Sequence, residues 1–185
     1  MKICLIGTQG TGKSTLLNHF RDHYNVIDGV ARRCITQGCD SSESGTWSSQ
    51  CKIFNSYLRA LDDENYISTR SVLDVLAYTA WLTKACKITS TQYFSQLQDT
   101  INWWNRNPDI IICYVPIEFE IEDDGVRSVD KTYQKEIDEE MLRILQQLKV
   151  PYYTISGTVE QRVEQLKEII QGVEEKSVSE HKINN

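Results

Sequence analysis

Lys2-Ile3-Cys4-Leu5-Ile6-Gly7-Thr8-Gln9-Gly10-Thr11-Gly12-Lys13-Ser14-Thr15-Leu16 is the stretch from which the rest of the chain can be read. Ile3 to Ile6 is a continuous apolar run, as in a parallel strand buried on both faces. It ends in Gly7 to Ser14, which satisfies the pattern GxxxxGK[ST] at every specified position. An amphipathic segment follows, with Leu16, Leu17 and Phe20 apolar and Asn18, His19, Arg21 and Asp22 polar. Strand, glycine-rich loop and helix in this order are the setting of a phosphate-binding loop. Gly7, Thr8, Gln9, Gly10, Thr11, Gly12, Lys13, Ser14 and Thr15 are therefore the candidate nucleotide-binding residues. Glycines let backbone N–H groups close around phosphate oxygens at the positive end of a helix. Lys13 is expected to reach the β- and γ-phosphates, and the Ser14 hydroxyl to hold Mg²⁺. The chain is read as binding a nucleoside triphosphate.

At 185 residues the sequence fits one domain with a substantial core. A net charge of −6 argues against a large nucleic-acid interface, which calls for a basic surface. A local basic cleft for a small phosphorylated ligand is compatible with it. The six cysteines, at 4, 34, 39, 51, 86 and 113, form no CxxC pair and have no histidines at metal-site spacing. His19, His23 and His181 read as surface residues. Free thiols without a secretory leader point to a reducing cytoplasm, that of the host if the chain is phage-encoded. No apolar run approaches the roughly 20 residues that span a membrane.

Further strands are expected at 25–28, 65–69, 109–115 and 152–156. Helices are expected at 47–61, from Arg70 to about 84, and over 89–105, 129–148 and 159–172. Polar, small residues 38–49 read as a mobile loop. Cys4 and Cys113 fall inside buried strands, and Trp103-Trp104 reads as packing at a helix end rather than a stacking platform. Residues 1–173 form the single domain, followed by a polar, frayed tail at 174–185. Strands alternating with helices imply a doubly wound sheet with ligands at the C-terminal ends of its strands. Those ends are Gly7, Asp28, Thr69-Arg70, Pro116-Ile117-Glu118 and Ser156-Gly157.

With these residues placed, the chain resembles the P-loop nucleoside and nucleotide kinases. Within them it is similar to the group that includes ribosylnicotinamide kinase domains and phage-encoded kinases. The resemblance runs over most of the chain. It is carried by the phosphate loop, Ala31-Arg32-Arg33, Gln50 after Trp47-Ser48-Ser49, and the run Thr69 to Tyr78. Asp124-Gly125-Val126-Arg127-Ser128 and Ser156-Gly157-Thr158 with Arg162 complete it. It implies a P-loop NTPase fold: a three-layer α/β/α sandwich around a five-stranded parallel sheet of order 2-3-1-4-5, with a lid. It also implies ATP and Mg²⁺ as cofactors, and roles for particular residues. Arg127 would be a lid arginine closing on the transferred phosphoryl group, and Gly157 and Arg162 would hold the adenine. Arg70, Asp74 and Gln50 would bind the acceptor, and Arg32 and Arg33 the acceptor or a phosphate. On spacing alone Arg70 and Asp74 also fit a surface ion pair, and Arg32 and Arg33 fit exposed helix charges. Two positions depart from the family pattern. Thr69-Arg70 stands where relatives often carry Asp-Arg, which leaves magnesium to Ser14, phosphates and water, with Asp28 or Glu118 assisting. Gln134, flanked by Lys131 and Lys135, stands where relatives often carry a second lid arginine.

The leading expectation is ATP- and Mg²⁺-dependent phosphoryl transfer to a nucleoside, nucleoside monophosphate or related small acceptor. If the acceptor is a hydroxyl, Asp28 is the best-placed general base. A phosphate acceptor needs none, and Asp28 would then orient the substrate or simply cap a turn. The alternatives are a nucleotide-dependent switch or regulatory ATPase acting on a protein partner, and a kinase of nucleic-acid ends or modified bases. The acidic balance argues against a nucleic-acid partner, no membrane partner is expected, and self-association to a homo-oligomer is left open.

Overall fold

The computed structural model describes residues 1–183 other than 122, 124, 126 and 127, with side chains as far as residue 175. The expected apolar run forms β1 (Lys2–Ile6), the central strand of a five-stranded parallel sheet. The other strands are β2 (Val26–Ile27), β3 (Tyr66–Thr69), β4 (Ile110–Tyr114) and β5 (Tyr152–Thr154). Their order is β2-β3-β1-β4-β5, as expected. β1 is paired on both sides, in register Lys2 to Tyr66 with β3 and Lys2 to Ile110 with β4. The strand order reverses at β1, so the crevice beyond its C-terminal end is where a ligand site is expected.

Side-chain alternation assigns each helix to a face. Cys4 and Ile6 of β1 pack with Ile110, Ile112 and Tyr114 on one face. That face is covered by α2 (Val30–Thr36), α3 (Trp47–Ala60), α4 (Val72–Lys84), α5 (Ser90–Arg106) and α6 (Lys131–Gln147). Ile3 and Leu5 point the other way, toward α1 (Lys13–Asn18) and α7 (Val159–Ile183), with Leu16, Leu17, Val163 and Leu166. Burial lifts the Cys4 thiol to about 12 and that of Cys113 higher still, so both strand cysteines pack as small apolar groups. Trp103 is in the core with Trp104 packed against it. No helix among the described residues is long and apolar enough to cross a membrane.

Two boundaries differ from the sequence expectation. Residues 47–49, read both as the end of a loop and as the start of a helix, belong to the helix: the loop ends at Thr46, whose hydroxyl accepts the Ser49 N–H and caps α3. Ahead of it, Ser42–Ser44 form one 3-10 turn. The last helix continues past Gly172 to Ile183. A helical glycine costs about 1 kcal/mol against alanine, and the glutamates and lysine around it are good helix formers.

Helix α4 starts at a capping box. Ser71 Oγ accepts the Leu73 N–H at 3.1 Å, and Asp74 Oδ2 accepts the Ser71 N–H at 2.7 Å. Ser71→Ala is expected to cost about 1 kcal/mol of stability, read as a lower urea midpoint with an unchanged m-value.

Candidate active site

The phosphate loop leaves β1 through three glycines with positive φ: Gly7 at 142°, Gly10 at 74° and Gly12 at 81°. At Gly7 the requirement is absolute, because a Cβ there would lie 2.5 Å from the Val115 carbonyl oxygen. Lys13 is buried; its Nζ donates to the Thr8 carbonyl at 2.5 Å and to Thr11 Oγ1 at 2.7 Å. Three distant side chains hold the loop from outside. Asp74 Oδ1 accepts the Gly7 N–H at 3.1 Å, Gln134 Nε2 donates to the Gln9 carbonyl at 2.7 Å, and Arg162 Nη1 donates to the Thr11 carbonyl at 2.6 Å. Gln134 thus takes no part in a cationic lid. It is a buried anchor of the loop, a role its sequence context did not suggest.

Beside the loop, Ser14 Oγ donates to Asp28 Oδ1 at 3.1 Å. The same oxygen accepts Thr69 Oγ1 and the Gly29 N–H, while Arg21 pairs with Oδ2 at 3.0 Å. Burial alone would raise the Asp28 pKa. The hydrogen bonds from Thr69, Gly29 and Ser14, with the Arg21 charge, outweigh it and hold the carboxyl below the ordinary carboxylate range. Thr69 therefore orients the carboxylate that stands next to Ser14. Of the two expected helpers, Asp28 adjoins Ser14, whereas Glu118 pairs with Arg162 at 2.6 Å and accepts the Gly157 N–H at 2.7 Å.

The same crevice carries the residues expected to bind the acceptor. Arg70 adopts a left-handed backbone (φ 69°), and its guanidinium lies 5.0 Å from the centre of the Tyr78 ring. The Tyr78 hydroxyl donates to Gln9 Oε1 at 2.7 Å, which ties Tyr78 to the phosphate loop. Asp74 is fully buried and forms no surface pair with Arg70. Burial pushes its carboxyl up, opposed by the charges of Arg70 and Lys13 and by the Ser71 and Gly7 N–H groups. Arg32, Arg33 and the buried Gln50 line the same cavity, and Arg33 also donates to the Asp28 carbonyl at 2.8 Å. Thr15 is exposed at the rim.

At the far end, Arg162 is almost completely buried. Its Nε donates to the Gly157 carbonyl at 3.0 Å, and the Phe119 ring lies 4.6 Å from its guanidinium. Phe119 and Ile121 lie against Gly12 and Gly10, so the segment after β4 covers the phosphate loop. Arg127, the expected lid arginine, lies outside the described residues. Phosphate loop, Asp28 and the arginine wall face one cavity of about 850 Å³. Tyr78, Phe119 and Arg21 are contributors that sequence spacing did not single out; they meet the site only through the fold.

A parallel sheet of this order with a phosphate loop at its central strand defines the fold of the P-loop nucleoside and nucleotide kinases. The chain belongs to the AAA domain family, whose model matches residues 2–162. Among solved structures it is similar to deoxyadenosine kinase from M. mycoides, at 15% identity and a TM-score of 0.67, covering 94% of this chain and 100% of that one. It is similar to the NadR protein in complex with NR, at 15% identity and a TM-score of 0.71, covering 91% of this chain and 50% of that longer one. Shikimate kinase from Aquifex aeolicus follows at 18% identity and a TM-score of 0.57, over 93% of this chain and 97% of that one. No curated protein matches in sequence.

Arg162→Met removes the donor to the Thr11 carbonyl. A loss of about 1–3 kcal/mol is expected for the unpaired acceptor, read as a lower urea midpoint, together with weaker binding of an ATP analogue by calorimetry.

Proposed function

We propose that this protein transfers the γ-phosphoryl group of ATP, with Mg²⁺, to a nucleoside, nucleoside monophosphate or related small acceptor in the reducing cytoplasm. The observation that carries the reading is the single cavity lined both by the phosphate loop and by Arg70, Arg32 and Arg33. A switch needs only the first set; a transferase needs both. The likeness to kinases of small molecules, deoxyadenosine kinase and shikimate kinase among them, supports phosphoryl transfer to a small molecule.

The residues present fit both cofactors. Gly10 and Gly12 let Ile121 and Phe119 close over the loop, and their positive φ suits an anion-binding turn. Ser14, Asp28 and Thr69 supply the hard oxygen donors that Mg²⁺ takes. When bound, the metal neutralises charge on the β- and γ-phosphates. Lys13 would exchange its contacts with Thr8 and Thr11 for phosphate oxygens, and Ser14 would face the metal with Asp28 orienting it. Arg162, held by Glu118, Gly157 and Phe119, keeps the loop in shape and forms the floor beneath the adenine. Arg127 is assigned the charge of the transferred group by its place in the motif.

Lys13→Ala is expected to lower kcat by about 10²–10³ with the fold retained, read as an unchanged far-UV circular dichroism spectrum. Asp28→Asn is expected to raise the Mg²⁺ concentration for half-maximal rate about 10- to 100-fold. The deciding measurement is the product formed with ATP, Mg²⁺ and a panel of small acceptors. A phosphorylated small molecule supports the reading; ADP and inorganic phosphate alone, with every acceptor, overturn it.

A further inference from the structure

Six cationic side chains line the cavity against three carboxylates, in a chain whose net charge is −6. Lys13 and Arg162 serve the nucleotide end, and Arg21 is paired with Asp28. Arg70 differs from these. It makes no ion pair among the described residues, and it rests on Tyr78 with its guanidinium facing the cavity. Asp74, a carboxylate whose charge acts on it, already accepts the Gly7 N–H on one oxygen and the Ser71 N–H on the other. The left-handed backbone of Arg70 adds a cost that an L side chain bears and a glycine would not. A partly buried, strained cation without a carboxylate partner is poorly explained by stability. It is well explained by an anionic ligand.

A second observation converges on the same place. Gln9 is 2% exposed and lines the cavity, and its carbonyl end receives Thr8 Oγ1 and the Tyr78 hydroxyl, each at 2.7 Å. Its buried Nε2 has no partner among the described residues. Native structures rarely leave a buried donor unsatisfied, and such a group calls for a ligand acceptor. Tyr78 touches both, so the Arg70 fork and the Gln9 amide are held on one tether.

The described carboxylates of the cavity are poorly arranged to take a proton from a hydroxyl. Asp28 accepts three donors on Oδ1 and Arg21 on Oδ2, Asp74 is engaged as above, and Glu120 pairs with Lys131 at the surface.

We propose that the acceptor is a phosphate monoester, and that Arg70 and the Gln9 amide, positioned by Tyr78, form its phosphate subsite. An oxygen of the acceptor phosphate attacks the γ-phosphorus of ATP. The bond from that phosphorus to the β–γ bridging oxygen breaks and its electron pair leaves with ADP. A new phosphoanhydride bond joins acceptor and phosphoryl group. The attacking oxygen is already ionised at neutral pH, because the second ionisation of a phosphate monoester lies near 6, so no base is required. This inference rests on the kinase reading and narrows it.

The test uses the full chain with ATP and Mg²⁺ and two matched panels, nucleosides and their 5′-monophosphates, with products resolved by ³¹P NMR and nucleotide chromatography. Diphosphate formed from monophosphates, with nucleosides at least about 10-fold poorer in kcat/KM, supports the inference. Transfer to nucleosides alone overturns it and leaves the kinase reading standing; transfer to neither panel, with ADP and phosphate released, overturns both. Arg70→Lys and Tyr78→Phe then separate a phosphate subsite from a packing role. For Arg70→Lys, loss of the fork should lower kcat/KM for the monophosphate about 10- to 150-fold with the KM for ATP within about twofold. Tyr78→Phe should raise the monophosphate KM more than it lowers kcat. Equal losses for ATP and acceptor in both variants count against the subsite.

Discussion

The structure depends on one buried carboxylate. Asp74 sits in the first turn of α4, yet its two oxygens join the N–H of Gly7, where β1 turns into the phosphate loop, to the N–H of Ser71, where β3 turns into α4. Two parallel strands end side by side there, and each would otherwise leave a backbone donor unsatisfied in the interior. A single acid satisfies both, fixing the two turns relative to one another. Charge-assisted hydrogen bonds of this kind are about twice as strong as neutral ones, which offsets part of the cost of burying the charge.

From that tie the phosphate loop is shaped by contacts spread along the whole chain. Gln134 of α6 reaches the Gln9 carbonyl, and Arg162 of α7 reaches that of Thr11. Loop carbonyls are thus held by helices on opposite faces of the sheet. The segment after β4 lies on top, Phe119 over Arg162 and Ile121 against Gly10. Preorganisation of the loop is therefore a property of the assembled sandwich. The glycine-rich motif supplies the backbone freedom, while distant side chains select one conformation from it.

Much of the architecture was legible because it rests on local rules. The apolar run at Ile3–Ile6, the glycine spacing and the periodicity of α3, α5 and α6 each specify an element before any contact is known. Asp28 was visible as the acidic end of β2, and the fold brings it to Ser14. The support of the site was less legible. Asp74 read as an acceptor-binding residue or half of a surface pair with Arg70, since i, i+4 spacing carries no information about the neighbouring strand whose Gly7 N–H it holds. Glu118 read as a helper of magnesium, since only the fold shows that it serves Arg162. Gln134 registered as a missing arginine, because nothing local announces that a glutamine on α6 meets a carbonyl 125 positions earlier. The helix expected over 159–172 runs on as α7 to Ile183, because the helix formers beyond Gly172 outweigh one glycine.

The outermost strands of the sheet are very short, with two residues in β2 and three in β5, and Pro151 precedes the latter. Sheet edges present unpaired backbone donors and acceptors on which another chain can add a strand, and length decides how many bonds such an intruder can form. Here either edge offers little more than a single rung. Tyr152 and Tyr153 expose large rings at β5, but the backbone beneath them is too brief to template a growing ladder. The sheet is therefore protected against edge-to-edge aggregation by truncation, without the lysines or bulges that longer edge strands need.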